Sequence, residues 1–172
     1  MVLYALGGSD CEALHDGWLG QPVNAVSSLA YVVAGAYVLR RGGPTTVAAS
    51  LAAVGVGSVL YHGPMSAGAG VVHDGSIVAM GAALAVAGLR GRLARPTPTA
   101  WLLGGAAIVA NLLTRTDAPL CRPDSLLQGH AAWHVLTAAA VAVWVSPGGR
   151  SDGARTRSRR PARRRGSSST TP

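Results

Sequence analysis

The sequence predicts an all-α fold, a bundle of about five membrane-spanning helices. Three observations predict it. The chain of 172 residues is 49% hydrophobic and only 13% charged, which is about half of the usual charged share. Its apolar residues form continuous stretches rather than the alternating pattern of a membrane barrel. Its positive charge is concentrated at one end, because residues 147–172 hold 8 of the 15 arginines and one of the 7 acids.

Five apolar stretches, each bounded by Gly, Pro or Arg, have the length of a membrane span. About 17–20 helical residues are needed to cross about 30 Å of hydrocarbon. The stretches are rich in Ala, Gly, Val and Leu, and small residues let helices approach closely in lipid. The first 20 residues contain no basic region, so they do not resemble a cleaved signal peptide. The predicted spans are residues 23–41, 45–62, 70–89, 98–114 and 128–146.

The arginines predict the orientation of the spans. Arg40 and Arg41 follow the first span, three more arginines lie between the third and fourth, and the arginine-rich tail follows the fifth. If the spans alternate, all of these lie on one side, which the positive-inside rule assigns to the cytoplasm. The sequence therefore predicts an N-terminus outside and a C-terminus inside.

The tail, residues 147–172, is of low complexity and is predicted to be disordered and cytoplasmic. Its arginines can attract anionic membrane lipids, or they can serve only to fix the topology. The tail contains no aromatic residue that could stack on bases, so we expect no nucleic-acid partner. The nearly neutral body likewise excludes a basic nucleic-acid-binding domain.

Polar side chains inside the spans occur at one predicted depth. Ser58 and His62 end the second span, His73 and Asp74 begin the third, and His130 and His134 begin the fifth. Residues four apart share one face of a helix. In the predicted topology all three places lie at the outer leaflet. Because ionisable groups in a span are costly, they indicate a functional site.

Three histidines, an acid and a hydroxyl suit a hydrolytic metal site. His62, His130 and His134 are the predicted ligands of Zn²⁺, with a fourth position left for water. Asp74 is the predicted acid and base, and Ser58 the predicted donor to an oxyanion. His73 is expected to point about 100° away from Asp74. Gln128 and Asn24 either orient the ligands or only cap their spans, and the histidines could instead be interhelical hydrogen-bond partners.

The same residues carry a resemblance to a known family. The segments GVGSVLYH, HD about a dozen residues later, and QGHAAWH are similar to those of the alkaline ceramidases. The N-terminal DCEAL and QPVNAVSSLAYVVAG resemble the opening of that family, whose superfamily includes adiponectin-type receptors and a GPI-lipid remodelling factor. The resemblance implies a zinc amidase of a bacterial cell membrane that hydrolyses a ceramide-like lipid.

Two cysteines, Cys11 and Cys121, fall on the predicted outer side, where disulfides persist. The two cysteines could form a disulfide bond with each other, or both could remain free thiols. The resemblance to the family favours the disulfide bond. The sequence departs from the family in predicting five spans instead of seven. Glu12 matches the family's acidic calcium site, but Leu14 and Gln21 stand where oxygen-rich or acidic ligands are expected, so the resemblance does not extend to a predicted calcium site.

Two other functions remain open from the sequence. The protein could be a small membrane protein that keeps the metal site without catalysis. It could also be a b-type haem protein, although His130 and His134 share a helix face and cannot ligate opposite sides of one haem. The sequence also leaves a homo-oligomer open.

Overall fold

A computed structural model describes residues 10–146, and all regular secondary structure in this range is helical. This confirms the predicted all-α bundle. The predicted tail, residues 147–172, lies outside the described residues. The helices are α1 (Pro22–Ser27), α2 (Leu29–Arg40), α3 (Thr45–His62), α4 (Ala69–Leu89), α5 (Pro98–Leu113) and α6 (Gly129–Val145).

The helix boundaries lie within one residue of the five predicted apolar stretches, with one difference. The first stretch forms two helices, α1 and α2, which are separated at Ser28. The backbone of Ser28 keeps helical dihedral angles. Its hydroxyl and that of Ser27 both donate to the carbonyl of Asn24, at 2.7 and 2.9 Å. Hydroxyls that bond back to the preceding turn compete with the helical hydrogen bonds and bend helices.

Three segments are long and apolar enough to cross a membrane: Pro22–Arg40, Thr45–His62 and Ala69–Leu89. The helices α5 and α6 are apolar and shorter, with 16 and 17 residues. Each helix packs against the next one in the spatial order α4, α3, α2, α6, α5. The short α1 contacts both α3 and α6.

The buried apolar core lies where α2, α3 and α6 meet, and α4 adds Ala87 to it. Glycine permits the close crossing of α2 and α3. A Cβ atom at Gly35 would come within 2.6 Å of the carbonyl oxygen of Ala48, a distance that real Cβ atoms do not adopt. Close backbone contact of this kind is typical of helices that pack in lipid.

The two ends of the bundle differ in charge. We call the end formed by the C-terminus of α3 and the N-termini of α4 and α6 the site end. The opposite end carries five arginines. Every acid among residues 10–146 lies at or near the site end, in the N-terminal segment, in the first turns of α4 or in the loop before α6. The arginines at the opposite end are Arg40, Arg41, Arg90, Arg92 and Arg95.

Candidate metal centre

Three histidines meet at the site end of the bundle. His62 is the last residue of α3, and His130 and His134 lie one turn apart at the start of α6. Their ring centroids are 5.0 Å (His62–His130), 5.3 Å (His62–His134) and 4.5 Å (His130–His134) apart. One ring nitrogen of each lies within 4.8 Å of the others, so the group could hold a metal ion.

Each of these imidazoles directs its Nδ1 atom at an oxygen acceptor. Nδ1 of His62 lies 2.7 Å from the amide oxygen of Gln21. Nδ1 of His130 lies 3.2 Å from the amide oxygen of Asn111, on α5. Nδ1 of His134 lies 2.9 Å from the hydroxyl oxygen of Ser27, whose own hydrogen goes to the carbonyl of Asn24. These oxygens accept hydrogen bonds, so we assign the proton of each ring to Nδ1.

The assignment leaves the three Nε2 atoms as lone-pair donors. The Nε2 atoms of His62 and His130 are buried and have no hydrogen-bond partner among the described residues. An unpaired buried acceptor costs about 1–3 kcal/mol, and two neighbouring ones would be an unusual way to fill a protein interior. A metal ion bound by all three Nε2 atoms would satisfy them together. Ligating histidines commonly donate their other N–H to an oxygen in this manner.

Ser58 lies beside the three histidines. It is fully buried one turn before His62 on α3, and its Oγ is 3.4 Å from Nε2 of His134. On its other side, the hydroxyl of Ser28 lies 2.8 Å away. Through this contact, Ser28, which separates α1 from α2, is linked by Ser58 to the three histidines.

The structure differs from the expectation for His73 and Asp74. The side chain of Asp74 is 79% exposed, and its carboxylate lies 2.9 Å from Nδ1 of His73. The ring of His73 turns inward, stacks on Tyr61 with centroids 4.7 Å apart, and lies 6.1 Å from the ring of His62. The sequence predicts instead that His73 points about 100° away from Asp74 and that Asp74 is the residue of the site. The inward direction of His73 follows from the packing of α4, which packs closely only against α3. This contact turns the side chain at position 73 toward the three histidines.

Gln128 and Asn24 do not bond to the three histidines through their side chains, so of the two roles that the sequence left open the structure shows no orienting contact among the described residues. The amide nitrogen of Gln128 donates to the backbone carbonyls of Arg122, Pro123 and Ser125, so it fastens the loop before α6. Asn24 contributes its backbone carbonyl to the serine hydroxyls. Its buried side-chain oxygen and nitrogen have no hydrogen-bond partner among the described residues.

The predicted disulfide between Cys11 and Cys121 is present, with their Cα atoms 5.6 Å apart. It joins the N-terminal segment to the loop between α5 and α6. Glu12, the next residue, accepts hydrogen bonds from the backbone N–H groups of Val23 and Asn24 at 2.7 and 2.8 Å. The carboxylate therefore caps the N-terminus of α1, where the helix dipole also stabilises its negative charge.

Sequence reasoning missed four side chains around the histidines: Gln21, Ser27, Asn111 and Asp10. Asn111 carried a usable signal, because a polar amide within an apolar span indicates a function. Gln21 and Ser27 lie at the predicted depth of the site and could have been included on that ground. Asp10 gave no such signal, since it lies in an irregular segment whose path depends on the folded protein.

Comparisons of the chain with protein-family models, with characterised proteins and with solved structures give no match. The similarity to alkaline ceramidases therefore depends on the motif residues alone.

Proposed function

We propose that the protein is an integral-membrane, zinc-dependent hydrolase that cleaves the amide bond of a ceramide-like lipid. The observation that carries the proposal is the arrangement of His62, His130 and His134. Each directs Nδ1 to an oxygen, and two of the three Nε2 atoms are buried without a hydrogen-bond partner among residues 10–146. Three imidazoles with a fourth position free are characteristic of catalytic zinc sites.

The three Nε2 atoms would hold the ion, and Gln21, Asn111 and Ser27 would fix the orientation of the rings. Zinc in such a site supplies hydroxide near neutral pH and polarises a carbonyl group. The protein's own part is to keep the rings in one tautomer and to exclude bulk water. The complete burial of His62 and the near-complete burial of His134 favour both.

Ser58 would stabilise the charge that develops on the amide oxygen. Its hydroxyl is buried beside Nε2 of His134, so a carbonyl that approached the three Nε2 atoms would come within its reach. One such donor typically contributes about 10²–10³ in turnover.

Proton transfer would involve Asp74 together with His73. Asp74 is the acid and base that the motif implies, and its carboxylate is hydrogen-bonded to His73. The imidazole of His73 lies between that carboxylate and His62. We propose that the pair acts as a unit, with His73 nearer the reacting amide and Asp74 holding its ring in place, an arrangement that is common for catalytic histidines.

A lipid substrate is favoured by where the site lies. The histidines are at the ends of α3 and α6, where a long apolar helix meets a polar loop. An amide in the polar part of a ceramide would lie at the same level of a bilayer. The proposed topology has five spans with the N-terminus outside, and the concentration of arginine at the opposite end supports it.

A haem protein is disfavoured by the same geometry. Ring centroids 4.5–5.3 Å apart suit a single ion and leave no space for a macrocycle among the three imidazoles. A metal-binding protein without catalysis is favoured by one observation, the 79% exposure of the Asp74 side chain. The experiment below separates it from the hydrolase.

The test is metal analysis of the purified chain together with hydrolysis of lipid amides in liposomes. We expect one zinc per chain and release of fatty acid from a ceramide but not from a matched ester lipid. Ser58→Ala should keep the zinc and lose about 10²–10³ in turnover. A chain that holds zinc and cleaves no acyl amide would favour the protein without catalysis. A chain that binds no zinc would refute the proposal altogether.

A further inference from the structure

A buried carboxylate lies behind two of the three proposed ligands. The side chain of Asp10 is 10% exposed. Its Oδ1 is 3.5 Å from Nδ1 of His130, and its Oδ2 is 3.9 Å from Nδ1 of His62. One carboxylate thus faces two rings, on the side opposite to the Nε2 atoms that would bind the ion.

The direct hydrogen-bond acceptors of these two rings are neutral. They are the amide oxygens of Gln21 and Asn111, at 2.7 and 3.2 Å. The third ring, His134, has a serine hydroxyl as its acceptor. An ion bound by three neutral imidazoles would bring two positive charges into a buried site. Burying charge without a counter-charge is costly, and Asp10 supplies negative charge next to two of the ligands.

The segment that carries Asp10 is irregular, and the residues that follow Asp10 are held against the loop between α5 and α6. The neighbouring Cys11 is bonded to Cys121, and its backbone N–H donates to Thr116 at 3.3 Å. The backbone N–H of Ala13 donates to the carbonyl of Pro123 at 3.0 Å. Cys11 itself has a φ of 67°, which a residue other than glycine adopts only where its surroundings enforce it.

We propose that Asp10 is a positioning residue of the metal centre, held in place by the Cys11–Cys121 disulfide. Its carboxylate strengthens His62 and His130 as ligands and balances the charge of the ion. Reducing the disulfide would release the segment and weaken metal binding through Asp10. The inference rests on the proposed metal centre, and it assigns to the N-terminal segment a role in metal affinity that the motif residues do not imply.

The test measures zinc affinity by chelator competition on the full chain in detergent. Four proteins form a double-mutant cycle. They are the wild type, Asp10→Asn, the disulfide variant Cys11→Ser/Cys121→Ser, and the combination of all three substitutions. Asp16→Asn is the matched control, because Asp16 is an exposed acid of the same segment. We expect Asp10→Asn to weaken zinc binding about 10–100-fold, the usual effect of removing such an outer partner.

The disulfide variant should also weaken zinc binding, and the combined variant should bind no more weakly than Asp10→Asn alone. Such non-additivity would show that the bond acts through the carboxylate. With Co²⁺ at saturation, the visible spectrum of Asp10→Asn should differ from that of the wild type, which a loss of stability alone would not cause. Should Asp10→Asn fail to fold, reduction of the folded wild-type protein must by itself lower its zinc affinity.

Wild-type affinity in Asp10→Asn would overturn the inference while leaving the metal centre intact. Unchanged affinity in the reduced wild type would refute the part played by the disulfide, as would fully additive losses. A wild-type chain without zinc would instead refute the proposed function, so the two failures are distinguishable.

Discussion

The first turns of α4 and α6 offer a direct comparison, because each carries two ionisable side chains at the site end. On α6, His130 and His134 both turn into the bundle. On α4, His73 turns inward, whereas the side chain of Asp74 is 79% exposed. The difference follows from the number of neighbours. The helix α6 packs against α1, α2 and α5, whereas α4 packs closely only against α3. Both pairs of side chains therefore lie at the same end of the bundle. How deeply each side chain is buried depends on how many helices surround its position.

The largest expected effect comes from removing a ligand of α6. His134→Ala should lower zinc affinity by several orders of magnitude, since losing even an outer partner of a ligand costs about 10–100-fold. His73→Ala, on α4, should keep its zinc. Equilibrium dialysis against buffered zinc measures both, with His15→Ala as a control at an exposed histidine. A loss of zinc in His73→Ala but not in His134→Ala would reverse the assignment.

The second comparison concerns turnover instead of binding. Asp74→Asn and His73→Ala should each lower amide hydrolysis by about 10²–10⁴ without loss of zinc. Because the two side chains are hydrogen-bonded, the double variant should be little worse than either single one. Single-turnover kinetics in liposomes measures this. Full activity in His73→Ala would show that Asp74 acts without its neighbour.

The third comparison is between two glutamines at the site end. Gln21→Met removes the acceptor of His62 and should weaken zinc binding about 10–100-fold. Gln128→Met removes only contacts to the loop before α6 and should leave zinc affinity close to that of the wild type. Chelator competition distinguishes them, and equal losses in both variants would contradict the ring orientation described above.

The smallest effect is expected from two glycines near the site end of α6 and α4. A Cβ atom at Gly129, on α6, would overlap the side chain of Thr114, whereas nothing lies within 4 Å of such an atom at Gly75, on α4. Gly129→Ala should cost about 1–3 kcal/mol of stability, and Gly75→Ala should cost nothing. Thermal unfolding in detergent measures both. Adding Thr114→Ala should restore the stability of Gly129→Ala if the overlap is the cause.

Most of the fold could be predicted from the sequence, because the length and position of each apolar stretch determine where its helix begins and ends. The grouping of the three histidines could be predicted as well. Their positions in the spans, and the alternating direction of successive spans, place all three at the same end of the bundle. The roles of His73 and Asp74 could not, because they are adjacent in sequence and only the packing of α4 on α3 decides which one turns inward.

The surroundings of the ligands were harder to predict, for a different reason. Gln128 and Asn24 were chosen because they begin predicted spans, but the atoms that meet the rings belong to Gln21, Asn111 and Ser27. These contacts depend on how the start of α1 lies against α3 and α6, and on how α5 lies against α6. The break at Ser28 was missed because its backbone remains helical and only its hydroxyl disturbs the pattern.

The bond between Cys11 and Cys121 spans 110 residues of sequence, and this separation sets an order of events in the life of the molecule. Synthesis proceeds from the N-terminus, so the ribosome must pass residue 134 before the three imidazoles exist in one chain. Both cysteines must then reach the same oxidising compartment. A stalled or truncated chain that ends before α6 carries one histidine of the three. The proposed metal site can therefore be completed only after α6 has been made. Because the inferred role of Asp10 depends on the disulfide, newly made chains in pulse-labelling should become oxidised before they become resistant to chelators.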